Sequence, residues 1–267
     1  MANPFLNDAS LRKAADAGWA APDATTRSTP IDDGPSSPWT SRVMTVSGTV
    51  TATGVLFVLL LAAATAGWLS VDDPGDGFPP FAFGGIVVGF ACVIALYFRP
   101  AWAKFLAPVY ALAQGFVVGV VSKFYESVQG QEGIVVQAVG ATLATFLVML
   151  VLYRTKIIKV TDRFRRIIIG ATMGVMLLYL VSFVIRLIAG WDAVGFLNSP
   201  SAFGIGFSVF VCVLAAMNLA LDFDFIERGS AAGLPKGMEW YAAFGLLVTI
   251  VWLYLEILRL LSKLNRR

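Results

Sequence analysis

The stretch WYAAFGLLVTIVWLYLEILRLLS, residues 240–262, decides the fold of this chain. Roughly 20 apolar residues in helical form cross a hydrocarbon core about 30 Å thick, and this run is long enough to do so. Its only charges are Glu256 and Arg259, three residues apart. Working back from it, six more runs of the same kind are readable at 46–68, 81–98, 105–123, 134–153, 167–189 and 202–222. Breaks of Gly, Pro and charge separate them, such as Asp72-Asp73-Pro74-Gly75, Arg99-Pro100, Gln129 to Gly133, Gly190-Trp191-Asp192 and Gly229 to Gly237. Seven such runs predict an all-α fold, a multi-pass integral membrane bundle of seven transmembrane helices.

Composition agrees. The chain is 58% hydrophobic and 14% charged, with mean hydropathy +0.77, whereas an average soluble domain is about 25% charged. The net charge of +3 is small and sits in loops, which fits membrane topology and gives no reason to expect a nucleic-acid partner. Cys92 and Cys212 both fall in apolar runs and read as small core hydrophobes. Histidine is absent from all 267 residues. That removes Ser-His and Cys-His catalysis and the usual physiological-pH switch, so any proton-sensitive step must run on carboxylates.

Residues 1–44 differ from the rest. Asp16, Asp23, Asp32 and Asp33 alternate with Pro22, Pro30, Pro35 and Pro38, with no apolar signal segment. This predicts a disordered cytoplasmic tail ahead of a membrane domain at 45–267. Asn3-Pro4-Phe5 is the form of an adaptor-binding peptide, but a match this short is what chance supplies.

Lysine and arginine set the orientation. Arg154, Lys156, Lys159, Arg163, Arg165 and Arg166 crowd the loop between the fourth and fifth spans, which places that loop and the amino terminus in the cytoplasm. Arg259, Lys263, Arg266 and Arg267 at the other end run against the rule. Either the last span crosses and carries them out, or it re-enters and returns them.

Carboxylates near hydrocarbon are expensive, on the order of 3 kcal/mol on insertion scales, and mark functional sites by default. Asp222 has Asn218 four residues behind it on the same face. Asp224 lies about 200° around the helix from Asp222, so both cannot enter one core. It is also four before Arg228, the spacing of an interfacial ion pair. Gly245, Thr249, Trp252 and Glu256 share a stripe, and Glu256 has Arg259 three residues on. Glu239 opens the last helix, where an acid suits the dipole and serves as a cap. Gln114 and Gln137 read as interhelical glue, Arg186 as snorkelling toward Asp192, and Gly115/Gly119, Gly170/Gly174 and Gly204/Gly206 as close-packing positions.

The run Asn218-Leu-Ala-Leu-Asp222-Phe-Asp224-Phe-Ile226, with Tyr241 to Thr249 and Trp252-Leu-Tyr-Leu-Glu-Ile-Leu-Arg-Leu-Leu261, resembles the end of the transmembrane Bax inhibitor motif family. That family includes Bax inhibitor and YccA-like proteins, and a bacterial-type member fits the Ala-, Gly- and Val-rich spans. The resemblance covers about residues 45 to 262 and leaves out the amino-terminal tail. It implies a seven-helix bundle with the last helix central. It also implies a pH-sensitive calcium leak attributed to an aspartate pair between the last two helices. Asp222 matches the first aspartate; Thr249 stands where the second would be, and a threonine cannot share a carboxylate dyad's proton.

The expected ion- or proton-sensing set is therefore Asp222, Glu256, Asn218 and Thr249, with Asp222 as a weak calcium site at most. Asp224 and Arg228 are the expected interfacial pair. No cofactor is expected, though calcium or protons would serve as transported or regulatory ions. The expected partners are the lipid bilayer and other membrane proteins. Three functions compete: a cation leak channel in a plasma membrane, a non-conducting regulator that binds other membrane proteins, and an intramembrane aspartyl protease. The last needs two aspartates on different spans, and Gly204-Ile-Gly206-Phe207 carries none, so the protein is not expected to be an enzyme.

Overall fold

The computed structural model describes residues 43–72, 79–127, 131–189, 195 and 199–266. The tail up to Arg42, Asp192 and Arg267 lie outside them, so the expectations placed on those residues do too. Seven helices are long and apolar enough to cross a membrane. They are α1 (Val46–Leu69), α2 (Pro80–Phe98), α3 (Ala103–Ser127), α4 (Ile134–Arg154), α5 (Asp162–Ala189), α6 (Ala202–Ala231) and α7 (Met238–Asn265). A short 3-10 turn, Pro100–Trp102, joins α2 to α3. Among the described residues the one β interaction is an isolated bridge between Val43 and Pro235.

The helix ends follow from local chemistry. Thr45 and Ser201 cap α1 and α6, accepting from the Gly48 and Gly204 amides, which satisfies donors a helix start leaves orphaned. Gly233, at φ +66, ends α6 with the Gly233 and Leu234 amides folding back onto Ser230 and Gly229 carbonyls, the left-handed cap that glycine suits. That end comes nine residues beyond the expected 222, because Asp222, Asp224 and Arg228 look like a span's end while all three stay helical.

The seventh helix is the centre. Of the most apolar stretch of α7, 67% is buried, against 17% for α5, and α7 packs on α1, α3, α4 and α6. Phe244, Leu247 and Leu258 are fully enclosed, and Tyr110 of α3 meets Phe244 edge-on at 4.9 Å. α7 is continuous over 28 residues, about 42 Å at 1.5 Å per residue. It therefore crosses fully rather than re-entering, and its two ends lie on opposite faces. Two cations toward its end, Arg259 and Lys263, are used inside the bundle, Arg259 on Glu256 and Tyr179. Lys263 is buried and donates to Ser208 Oγ at 2.7 Å and the Gly204 carbonyl at 3.0 Å.

α1 and α3 approach most closely. A Cβ on Gly67, Gly115 or Gly119 would collide with the backbone of Phe116, Leu60 or Ala64, so the small-residue reading holds for Gly115/Gly119. It does not hold for Gly170 and Gly174, which face open space because α5 is peripheral. Gln137 is likewise exposed and forms no side-chain hydrogen bond among the described residues, so it is not interhelical glue. Met44 is buried and its amide donates to the Leu234 carbonyl, which ties the approach to α1 to the loop after α6.

Candidate functional site

The middle of the bundle holds a ladder of polar groups on α5, α6 and α7. Asp222 is 1% exposed. It sits about 14 Å from the end of α6, and Thr249 about 16 Å from the start of α7, counted at 1.5 Å per residue. The two helices run antiparallel through this level, and the Thr249 side chain lies beside the Asp222 carboxylate. The Thr249 hydroxyl also lies 3.2 Å from the Gly245 carbonyl, and its single proton can serve only one acceptor well. The carboxylate oxygen Oδ2 is buried with no hydrogen-bond partner among the described residues. A buried acceptor left bare costs about 1–3 kcal/mol, more when charged. Asp222 is thus held in an environment that does not compensate it.

The remaining predicted residues separate. Asn218 is buried on the same face, but its amide nitrogen turns to α5, donating to Thr172 Oγ1 at 3.1 Å and the Leu214 carbonyl at 2.7 Å. Glu256, 2% exposed, lies seven residues beyond Thr249, about 10 Å along the axis. Its Oε1 accepts from Tyr179 at 3.0 Å and Arg259 at 2.9 Å. Arg259 also donates to Tyr179 Oη at 2.8 Å and lies 5.0 Å from its ring centre. Glu256 therefore belongs to a Tyr179–Glu256–Arg259 group that offsets its charge through Oε1 and leaves Oε2 bare, and Asp222 stands apart from it.

Asp224 forms the expected pair with Arg228, at 2.5 Å, and a second with Arg165 of α5 at 3.0 Å. Sequence reading missed the second arginine, although the basic loop that supplies it was in plain view. It also missed the real partner of Glu239, whose Oε1 accepts from the Thr45 amide at 3.0 Å and hydroxyl at 2.9 Å. Glu239 thus clasps α7 to the capped start of α1 besides opening its own helix.

Calcium fits this arrangement poorly as a resident ion. It takes six to eight oxygens, whereas Asp222 brings one carboxylate beside one hydroxyl. Among the described residues no cluster of three His, Cys, Asp or Glu side chains is close enough to hold a metal. Cys92 and Cys212 are both free thiols.

No curated protein matches the sequence. The family described as Bax inhibitor 1 like matches residues 3–266, so the match takes in the amino-terminal tail that the resemblance had left out. With a membrane bundle built around its last helix and a match over nearly its whole length, the chain belongs to the Bax inhibitor 1 like family.

Proposed function

We propose that this protein is a cation leak pathway of a plasma membrane, with its amino terminus cytoplasmic, in which Asp222 controls passage. The observation that carries this is that Asp222, buried in the middle of the bundle with a bare carboxylate oxygen, has no ion-pair partner among the described residues, whereas Glu256 has Arg259. A group so exposed to a change of charge state is a natural place for a proton or a passing cation to act. Calcium enters as cargo, passing one carboxylate and the Thr249 hydroxyl, rather than as a bound cofactor. Thr249 puts a hydroxyl beside Asp222 and brings no second charge, which favours a weak, transient ion contact.

The test is calcium flux into liposomes holding the purified protein, across a pH series. Wild type should conduct with a pH-dependent rate. Asp222→Asn, which keeps shape and removes charge, should change the rate and flatten its pH dependence, while Asp224→Asn should do much less. Equal, pH-independent flux in all three would remove Asp222 from the mechanism.

A second reading is a non-conducting regulator that acts by contact with other membrane proteins. It is favoured by the fact that Asp222 lines neither of two clefts in the bundle, about 820 and 440 Å³. Absence of flux from wild-type protein at every pH would decide for it.

A further inference from the structure

α1 and α4 barely touch, and two clefts fill the gap between them. The larger, about 820 Å³, begins at Val46 and Arg154 and reaches Phe57 and Leu143. The smaller, about 440 Å³, shares Phe57, Thr142, Leu143 and Ile250 with it and continues to Trp68. From Val46 to Trp68 is about 33 Å at 1.5 Å per residue, so together the clefts run the depth of a hydrocarbon core. Leu246 and Ile250 of α7 line the larger cleft, and the walls of both are mostly apolar.

The mouth of the larger cleft is charged, and the charge is mostly positive. Asp224 there is already held by Arg165 and Arg228, and Glu227 accepts from the Tyr153 hydroxyl. Arg154, Lys156 and Lys159 are exposed at the same mouth with no ion-pair partner among the described residues. Lys156 is also placed at a conformational cost. The Lys156 and Ile157 amides fold back onto Tyr153 and Leu152 carbonyls, the same helix-ending turn that Gly233 makes after α6. Here, however, the left-handed position at φ 57 is occupied by a lysine, where glycine is the unstrained choice.

We propose that the α1–α4 cleft is a binding site for an anionic phospholipid of the leaflet on the basic-loop side. Its phosphate sits among Arg154, Lys156 and Lys159 and one acyl chain lies along the cleft toward Phe57 and Leu143. Basic pockets between transmembrane helices suit such headgroups, and the strained cap holds Lys156 where the headgroup needs it. The site is independent of any cation passage at Asp222.

The test is native mass spectrometry of the delipidated full-length protein with phosphatidylglycerol or phosphatidylcholine of identical acyl chains. Phosphatidylglycerol should be retained at least tenfold better. Each basic side chain contributes on the order of fivefold near an anionic headgroup, so Arg154→Gln/Lys156→Gln/Lys159→Gln should abolish the preference. Gly54→Trp projects into open space at the cleft wall and should reduce retention of both lipids. Lys156→Gly should raise the melting temperature by relieving the cap while weakening phosphatidylglycerol retention, a split that a purely structural lysine would not give. Equal retention of the two lipids, or a preference unchanged in the triple variant, would overturn the site. So would full displacement of phosphatidylglycerol by millimolar inorganic phosphate, which would mark it as a site for the free anion.

Discussion

Asp222 and Glu256 are two buried acids with opposite circumstances, and their substitutions should behave oppositely. Each has one bare oxygen, Oε2 of Glu256 and Oδ2 of Asp222, but Glu256 Oε1 has a cation and a phenol, whereas Asp222 has only a hydroxyl beside it among the described residues. Arg259→Met would leave the Glu256 charge buried and uncompensated, costing about 3 kcal/mol, the low end for breaking a buried pair. Glu256→Gln should cost less, because Gln still accepts from Tyr179 and the Arg259 side chain, 31% exposed, can turn to water. Asp222→Asn removes a charge that no cation among the described residues offsets, so stability should be unchanged or higher. Thermal unfolding of the three variants in one detergent checks the order. An Asp222→Asn protein less stable than Arg259→Met would mean that Asp222 is a structural group. The acids themselves were legible in the sequence, because a charge in an apolar run stands out. Their partners were not: Tyr179 lies 77 residues from Glu256 and Thr45 lies 194 from Glu239. Contacts at such separations are set by which helices pack together, and no local pattern encodes that.

At the scale of elements, two pairs of glycines with the same spacing have different work. Gly119→Ala drives a methyl into the Ala64 backbone, and two helices must part to admit it. Overpacking of this kind costs about 1–3 kcal/mol. Gly174→Ala meets nothing and removes a helix-interior glycine, so it should be neutral or stabilising by up to about 1 kcal/mol. Unfolding of the two single variants measures the contrast, and equal effects would refute the close α1–α3 packing. The sequence shows the spacing but not which face of a helix meets another helix and which meets lipid. The end of α6 was misjudged for a related reason. Hydropathy falls at Asp222, but Asn218 and Asp222 are sheltered by α5 and α7, so the helix continues through a polar stretch that hydropathy reads as a boundary.

For the whole molecule, seven spans were readable because crossing a membrane is a local demand on about 20 residues at a time. With α7 continuous, the two faces are fixed relative to one another. Single cysteines introduced at Lys156 and at Ser199, with Cys92 and Cys212 replaced by alanine, should be labelled from opposite sides by an impermeant thiol reagent. Labelling of both from one side would overturn the topology. The side facing the cytoplasm should be that of Lys156, since the basic loop outweighs the opposite end. Arg259 and Lys263, which made that end look too positive, are engaged within the bundle.

Because α7 is the hub of the bundle and follows the helices that it packs against, biosynthesis meets the fold in an awkward order. A ribosome delivers α1, α3, α4 and α6 to the membrane before the helix that they pack against. Until α7 arrives, the start of α1 lacks its Glu239 clasp, and the α6 face bearing Asp222 has no Thr249 beside it. A chain cut short before Met238 would present those polar groups to lipid, as would one whose last helix is slow to insert. Surveillance proteases should then remove it quickly, which makes insertion of α7 the checkpoint for a stable protein.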